Sequence, residues 1–328
     1  YPVEMAHGIL QGLLKTGAHI YFLPFIKALP SAGLVDTSAT CPMVQAEPYY
    51  LKATFNEIAN KILSPVVDFS NGYASAATTF VNMAKTLGVK KGDAQQAFYG
   101  GVAAQQAFIR RCQEMGRELL QGLEAQPERV AIVLFGRPYN AFAPLANMGI
   151  PQKFVSRGYE IIPCDFLPFS GEQPEESMYW ANGQMILQAA RYVQRHPRLF
   201  PVFITNFSCG PDSFLISYFR DIMGGKPSLT LELDGHTADA GLDTRIEAFL
   251  DVVTGYLKKE ERKEPVNIDF FRAAEVVSND KATWVVDAKG DRYELTDPRV
   301  HVLFPSMGKF AIQLFAAVFK QFGIQASP

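Results

Sequence analysis

The feature that most constrains the fold is a repeated unit, in which a short apolar run is followed by a Gly- or Pro-containing turn and then by an amphipathic stretch. Runs that are apolar on both faces and separated by helical patterns are typical of a buried parallel sheet. We predict strands at residues 19–25, 130–135, 160–164, 202–207, 229–233 and 301–304. We predict helices at residues 47–62, 93–123, 177–195, 212–223, 237–258 and 309–322.

This pattern predicts an α/β protein with two three-layer, doubly wound domains of the flavodoxin or Rossmann type, whose sheets are mostly parallel. A length of 328 residues is enough for about two such domains. We expect the first domain, with long helices, at residues 1–126 and the second at residues 127–260, because Pro127 opens a fresh strand. Residues 261–328 would hold a linker, a β-hairpin around Lys289 and Gly290, and a returning βα unit with an incomplete C-terminus.

Composition excludes several classes of protein. The net charge is −2, from 31 basic and 33 acidic residues, so no basic surface for nucleic acid is expected. No apolar run approaches the roughly 20 residues that span a bilayer, and the first eight residues do not resemble a signal peptide. Four distant cysteines do not make a secreted disulfide scaffold. We therefore expect a soluble protein of the reducing cytoplasm, and the start at Tyr1 favours a processed chain or a piece of a longer one.

The common catalytic and nucleotide-binding motifs are missing from the sequence. It contains no G-x-x-x-x-G-K-[ST] phosphate loop and no G-x-G-x-x-G turn after a strand. It also lacks a G-x-S-x-G nucleophile elbow and an H-E-x-x-H zinc motif. The usual kinase and hydrolase interpretations therefore find no local support.

Three of the four cysteines stand where a parallel α/β sheet binds ligands. Cys164 and Cys209 end predicted strands, and Cys41 lies on a loop just ahead of a helix. A thiolate is stabilised at a helix N-terminus, and three converging thiolates would suit an iron–sulfur cluster with one open position. Because they are dozens of residues apart, their spacing alone is a weak signal and fits three buried, inert cysteines somewhat better. Cys112, inside a long predicted helix, is predicted to be a structural thiol.

Two further turns after predicted strands carry candidate binding residues. In the segment Gly-Arg-Pro-Tyr-Asn at 136–140, Arg137 could bind a phosphate or a carboxylate, with Asn140 in the same turn. The alternative is a surface turn held by an ion pair. His236 lies in an acidic loop, where it could belong to a site, or where Thr237 or Asp239 could simply cap the next helix.

Several segments, in order along the chain, resemble the large CoA-substrate-specific activase-related proteins, which are relatives of the 2-hydroxyacyl-CoA dehydratases. The most specific block runs from Cys209 to Gly241 and includes Gly-His-Thr-Ala-Asp-Ala-Gly. The other matching segments are residues 3–8, 136–140, 161–168 and 204–214. The resemblance implies the family's domain of unknown function, which in long members follows ATPase modules of the acetate/sugar kinase/Hsp70 type. This sequence does not contain those modules.

The resemblance also implies a mechanism. In the dehydratases, an ATP-driven activator passes one low-potential electron to a cubane iron–sulfur cluster, which relays it to an acyl-CoA thioester. By this resemblance Cys41, Cys164 and Cys209 are expected to ligate a 4Fe-4S or double-cubane cluster. Relatives often carry a cysteine just before the segment that matches Tyr1, further cysteines beyond Pro328, and another residue at the position of Cys164. If the cluster is built partly from such residues outside this chain, the chain alone would not be competent.

The resulting expectation is an iron–sulfur redox component that receives low-potential electrons from an ATP-hydrolysing activase, in the same chain or as a separate partner. Its enzymatic role would be that of a 2-hydroxyacyl-CoA dehydratase-like lyase or of an ATP-dependent reductase component, and a homodimer would fit the resemblance. One alternative is a non-catalytic docking or assembly module. Another is a domain that binds a CoA ester without redox chemistry, with Arg137 and backbone donors at the strand ends on the phosphates. The candidate cofactor-binding residues are Arg137, Asn140 and His236.

Overall fold

A computed structural model describes residues 2–30, 38–126, 128–207, 209–261, 273–279, 282–305 and 309–328. The chain forms two compact units, residues 1–259 and 260–328. Most sheets are parallel, and one small sheet is antiparallel, so the predicted α/β class is confirmed. The predicted division near residue 126 stays a prediction. Among the described residues, no helix is both long and apolar enough to cross a membrane.

The centre of the first unit is a four-stranded parallel sheet. Its strands are β5 (Ala131–Phe135), β6 (Glu160–Pro163), β7 (Leu199–Asn206) and β8 (Leu229–Leu233). They lie in the order β6-β5-β7-β8. Every residue of β5 and β7 is buried, because these two strands are central and both of their faces are covered. In this order the connection after β5 leads to β6 on one side of the sheet, and the connection after β7 leads to β8 on the other side.

Helices cover both faces of this sheet, which gives the predicted three layers. One face packs against α5 (Lys91–Glu124), α8 (Ala181–Arg195) and α9 (Gly210–Met223). The other face packs against α7 (Ile150–Val155) and α10 (Asp239–Glu261), and the short helix α6 (Pro138–Ala141) follows β5. Along β5, Val133 faces the first layer and Ile132 the second, as the alternation of side chains in a strand requires.

The strands that precede this sheet in the first unit are shorter and form two separate parallel pairs. They are β1 (Tyr21–Phe22) with β3 (Ile62–Leu63), and β2 (Phe25–Ala28) with β4 (Val66–Asp68). The single strand predicted at residues 19–25 is divided, because Pro24 between β1 and β2 has no N–H to donate to a neighbour. The helices here are α1 (Pro2–Leu14), α2 (Pro42–Gln45), α3 (Glu47–Thr54) and α4 (Ala77–Thr86).

The second unit contains the predicted hairpin. Strands β9 (Glu275–Ser278), β10 (Thr283–Val286) and β11 (Arg292–Glu294) form a three-stranded antiparallel sheet, with the turn at Gly290 joining β10 to β11. The returning βα unit is also present, as β12 (His301–Leu303), α11 (Lys309–Gln321) and β13 (Gln325–Ser327). Strands β12 and β13 pair in parallel. Helix α10 extends through the first part of the charged segment Lys-Lys-Glu-Glu-Arg-Lys-Glu at 258–264, and residues 262–264 lie outside the described residues.

Candidate functional site

The candidate site lies where the two central strands of the large sheet end. Arg137 follows β5 and is the residue at the N-terminus of α6, while Cys209 follows β7 and caps α9. The order β6-β5-β7-β8 makes this the point at which successive connections run in opposite directions, and the crevice there is the usual ligand site of such sheets. Two residues 72 positions apart in sequence therefore lie side by side.

Gly136 allows this close approach. Its φ of +142° is disfavoured for residues with a side chain, and an added Cβ would lie 2.6 Å from the carbonyl oxygen of Ile204 in β7. The same Cβ would lie 2.8 Å from the methyl group of Ala141. The turn after β5 can therefore lie against β7 only with glycine at this position.

The Arg137 side chain is the centre of the site. Its guanidinium is buried and lies 3.2 Å from the Asp212 carboxylate, and the Thr205 hydroxyl donates to that carboxylate at 2.5 Å. The same Arg137 nitrogen donates to the sulfur of Cys209. Burial alone would lower the pKa of Arg137, but Asp212, Tyr139, Cys209 and Cys41 raise it, and the net change is upward. Arg137 therefore stays charged and is shared between a carboxylate and a thiol.

The Cys209 thiol is partly buried and its pKa is raised to about 11, chiefly by burial and then by the nearby Asp212 charge. The positive charge of Arg137 acts in the opposite direction. The backbone supports the position of Cys209, because the N–H of Ser213 donates to its carbonyl at 3.0 Å. In the free protein this thiol is therefore protonated at neutral pH.

Cys41 approaches the same guanidinium from a different part of the chain. It precedes α2, and its loop is fixed by the Thr40 hydroxyl, which donates to the carbonyl of Ile26 at 2.5 Å. Ala39 links this loop to the segment just before α8, since the Ala39 N–H donates to the carbonyl of Tyr179 at 3.1 Å. Cys41 is partly exposed and close enough to Arg137 to raise the pKa of the guanidinium.

A small cavity separates the two loops. It measures about 20 Å³ and is lined by Thr40, Cys41, Arg137, Asp212 and neighbouring residues of α8 and α9. A volume of roughly 10–15 Å³ is enough for one water molecule. The structure thus brings together Cys41, Cys209 and Arg137 of the sequence-predicted residues.

Buried polar atoms without a hydrogen-bond partner are concentrated in the loops that follow β5 and β7. Six of the nine such atoms among the described residues lie at or just after the ends of these strands: Arg137 Nε, Tyr139 Oη, Asn140 Oδ1, both side-chain amide atoms of Asn206, and Asp212 Oδ1. The other three are Ser64 Oγ, Asp165 Oδ1 and Arg191 Nε. Asn140 is fully buried, and its amide nitrogen lies 3.4 Å from the carbonyl of Ile204. Such orphaned atoms are uncommon in folded proteins and are often found at functional sites. Asn140 is thus buried in the turn after β5, but it does not line the cavity beside Arg137.

Cys164 is placed differently from the other two predicted ligands. It ends β6 as predicted, but it is fully buried in the apolar layer between the sheet, α8 and α9. The backbone N–H of Gly136 hydrogen-bonds to its thiol, and burial raises its pKa well above the ordinary value. The Cys164 thiol therefore lies next to Gly136, the residue before Arg137, but on the side of that turn that faces the apolar core. Its role as a ligand stays a prediction. Cys112 is buried in α5, where the structural interpretation places it.

His236 lies in the loop after β8 and is exposed. The Asp234 carboxylate accepts from the His236 N–H at 2.8 Å and from the Thr237 hydroxyl at 2.9 Å, so the loop is closed by its own side chains. Asp239 begins α10 and pairs with Lys153 at 2.8 Å. His236 does not line the cavity beside Arg137.

The carboxylate that holds Arg137 is not among the predicted site residues. Asp212 falls at the start of a predicted helix, and Thr205 and Asn206 fall within a predicted strand. The available signal was Asp212 in the first turn of a helix directly after a strand end, where a carboxylate favours a basic partner from a neighbouring loop.

The described residues fit an iron–sulfur cluster in part. Cys41 lines the cavity, and the Cys209 sulfur accepts from Arg137, which lines the same cavity, but no group of three or more His, Cys, Asp or Glu side chains in the described ranges is arranged to hold a metal ion. A cubane cluster usually takes four cysteine ligands. A complete ligand set therefore needs Cys164, a residue outside the described ranges, or a partner.

Comparison with known proteins gives one match, to a protein family. No curated protein and no solved structure matches the chain. The family model described as the CoA enzyme activase uncharacterised domain matches residues 1–167, which include Cys41, Arg137, Asn140 and Cys164. Because the match covers just over half of the 328 residues, the chain belongs to the CoA enzyme activase uncharacterised domain family.

Proposed function

We propose that the chain is an iron–sulfur redox component, related to the 2-hydroxyacyl-CoA dehydratases, that receives low-potential electrons from an ATP-dependent activase. Cys41 and Cys209 are the cluster ligands on which the proposal rests. The observation that carries it is that Arg137, at the carboxyl end of β5, donates to the Cys209 sulfur and lines one cavity together with Cys41. Sulfur ligands at such an edge suit an iron–sulfur cluster.

When bound, a cluster of this kind would supply one-electron transfer to an acyl-CoA thioester. The residues of this chain would hold it and control its surroundings. The positive charge of Arg137 offsets the negative charge of thiolate ligands, and Asp212 fixes the guanidinium in place at 3.2 Å. The partly buried position of Cys209 limits contact with water and oxygen. The remaining ligands would come from Cys164 or from residues beyond those described.

Iron retention by cysteine variants tests the ligand assignment. The protein is expressed and purified without oxygen, and its iron, its sulfide and its absorption near 400 nm are measured. We expect Cys209→Ser and Cys41→Ser to lose most of the iron. Cys112→Ser is the matched control, because that thiol lies in helix α5 and should leave iron unchanged. Wild-type iron and sulfide in Cys209→Ser would overturn the assignment.

The partner is tested separately on protein that contains iron. An activase of the 2-hydroxyacyl-CoA dehydratase type is added with MgATP and a low-potential reductant. We expect the absorption near 400 nm to bleach only when activase and MgATP are both present. Bleaching at the same rate without the activase would contradict the proposed electron donor while leaving the ligand assignment standing.

A second candidate is a non-catalytic docking or assembly module. It is favoured by the ligand geometry, since only two of the predicted ligand thiols lie around Arg137 and the described residues contain no group of three or more side chains that could hold a metal ion. This candidate predicts a colourless protein under anaerobic conditions, with Cys41 and Cys209 open to alkylation. The CoA-ester alternative has less support, because Arg137 is already paired with Asp212 and His236 does not reach the cavity. Calorimetric titration with acetyl-CoA separates these two, since a docking module should release no binding heat.

A further inference from the structure

We propose that the groove between α4 and α5 binds a small, uncharged and largely apolar molecule. This groove lies in the first unit, shares no lining residue with the cavity beside Arg137, and has a volume of about 520 Å³. Its wall includes Phe69, Phe80, Met83, Phe98, Gly101 and Gln105. The inference does not depend on an iron–sulfur cluster.

Aromatic rings form one side of the groove. The Phe80 and Phe98 rings lie 5.2 Å apart, the stacked Phe69 and Phe80 rings 6.4 Å apart, and the Phe69 and Tyr73 rings 5.3 Å apart. Such a series offers a flat apolar surface with ring edges and faces that suit an aromatic or branched aliphatic ligand. Small residues of α5, including Gly101, also line the groove and leave space beside the rings.

The chemistry of the lining sets the charge of the ligand. No Lys, Arg, Asp or Glu is among the residues that line this groove. The polar contacts available are the Tyr73 hydroxyl and the Gln105 amide, which hydrogen-bond to each other, and burial raises the pKa of Tyr73. A phosphate or carboxylate would find no cation here, so the ligand is neutral and carries at most one or two hydrogen-bonding groups.

The size of the groove favours a small molecule over a protein partner. Its volume falls within the roughly 300–1,000 Å³ typical of small-molecule sites. Its surface is far below the roughly 800 Å² that each partner contributes to a stable protein interface. The groove therefore fits a ligand of about two fused or linked rings.

Two adjacent glycines provide a matched test. Both Gly100 and Gly101 lie inside α5, and an added Cβ at either would meet nothing within 4 Å, but only Gly101 lines the groove. Gly101→Leu should fill the groove, whereas Gly100→Leu should not, and both variants gain similar helix propensity. The probe is the neutral dye N-phenyl-1-naphthylamine, whose fluorescence rises and shifts to the blue in apolar surroundings.

We expect saturable dye binding to the wild-type protein and to Gly100→Leu, and at least tenfold weaker binding to Gly101→Leu. The anionic analogue 1-anilinonaphthalene-8-sulfonate should bind the wild-type protein less tightly than the neutral dye. Equal dye affinity in the two glycine variants would overturn the proposal. So would a tighter fit of the anionic dye, because it would show a cation in the site.

A second measurement locates the dye. With methyl-labelled methionine, the NMR signal of Met83, which lines the groove, should shift on saturation, while that of Met115, outside the groove on α5, should not. Sedimentation of the wild-type protein and of Gly101→Leu checks the competing occupant. A wild-type dimer that dissociates in Gly101→Leu would show that a second copy covers the groove and would refute the small-molecule proposal.

Discussion

The guanidinium of Arg137 and the carboxylate of Asp212 lie 3.2 Å apart, and both side chains are almost wholly buried. Removal of one partner from such a pair leaves the other charge buried and uncompensated, which usually costs about 3–5 kcal/mol. We therefore expect Arg137→Met to lower the free energy of unfolding by that amount, measured by urea denaturation. The double variant Arg137→Met/Asp212→Leu should lose less than the sum of the two single variants.

An exposed pair with the same separation serves as the control. Arg111 and Glu118, both in α5, also lie 3.2 Å apart, but both side chains are more than half exposed. Exposed pairs contribute less than about 1 kcal/mol, so Arg111→Met should change stability little. Equal losses in Arg111→Met and Arg137→Met would contradict the view that burial makes the Arg137 pair important.

The reactivity of Cys209 should depend on pH in a characteristic way. Its pKa is raised to about 11 by burial and then by Asp212, so in the metal-free protein its alkylation rate should still rise above pH 9.5. Asp212→Asn removes a negative charge that opposes the thiolate and should move the profile to lower pH. Mass spectrometry after iodoacetamide treatment follows each cysteine, and a rate for Cys209 that levels off below pH 9 would contradict this account.

Within the same experiment, Cys164 gives an internal comparison. It is fully buried and its pKa is well above the ordinary value, so it should stay unmodified until the protein unfolds. Cys41, which is partly exposed, should react in the folded protein. Fast modification of Cys164 under native conditions would show that the layer around it opens easily.

Much of the large sheet could be predicted because its strands are buried on both faces. Strand β8 has the predicted bounds, and β5 and β6 differ from the prediction by one residue. Such runs stand out from the helical patterns between them. The prediction of one continuous strand at 19–25 was wrong. Its apolar pattern is that of a single strand, but Pro24 divides it into β1 and β2.

The candidate site could be predicted only in its parts. Strand ends indicated Arg137 and Cys209 separately, but no spacing in the sequence shows that β5 and β7 are neighbours. The same rule placed Cys164 at a strand end without revealing that its thiol faces the core. The partnership of Arg137 with Asp212 depends on the strand order, and the order depends on how helices of both layers pack.

Lys226 offers a prediction in which the sign of the pH dependence matters. Lys226 is buried near the end of α8. Its ammonium group donates to the carbonyl of Val193 at 2.6 Å and to the carbonyl of His196. The same group lies over the ring of Phe200. Lys226→Met leaves both carbonyls without this donor, so we expect a loss of about 1–3 kcal/mol in the free energy of unfolding.

Burial also lowers the pKa of Lys226 from 10.5 to about 8. Between these values the unfolded chain binds more protons than the folded one, so wild-type stability should rise with pH relative to Lys226→Met. Urea denaturation of both proteins at pH 7 and pH 9.5 measures this difference. If the stability of the wild-type protein relative to Lys226→Met fell between pH 7 and pH 9.5, the two carbonyl acceptors would favour the charged amine more than burial opposes it.

The contact of α5 with the turn after β6 depends on Gly116. An added Cβ there would lie 2.0 Å from the carbonyl oxygen of Phe166, and that oxygen belongs to the backbone and cannot move aside. Gly116→Ala should therefore separate the helix from the turn that carries Cys164 and Asp165, and lower the unfolding midpoint. Gly100→Ala, in the same helix with open space around its Cβ, should instead stabilise the protein by about 0.5–1 kcal/mol. Thermal unfolding of the two variants beside the wild-type protein measures both effects. If Gly116→Ala were as stable as Gly100→Ala, α5 would not pack against that turn.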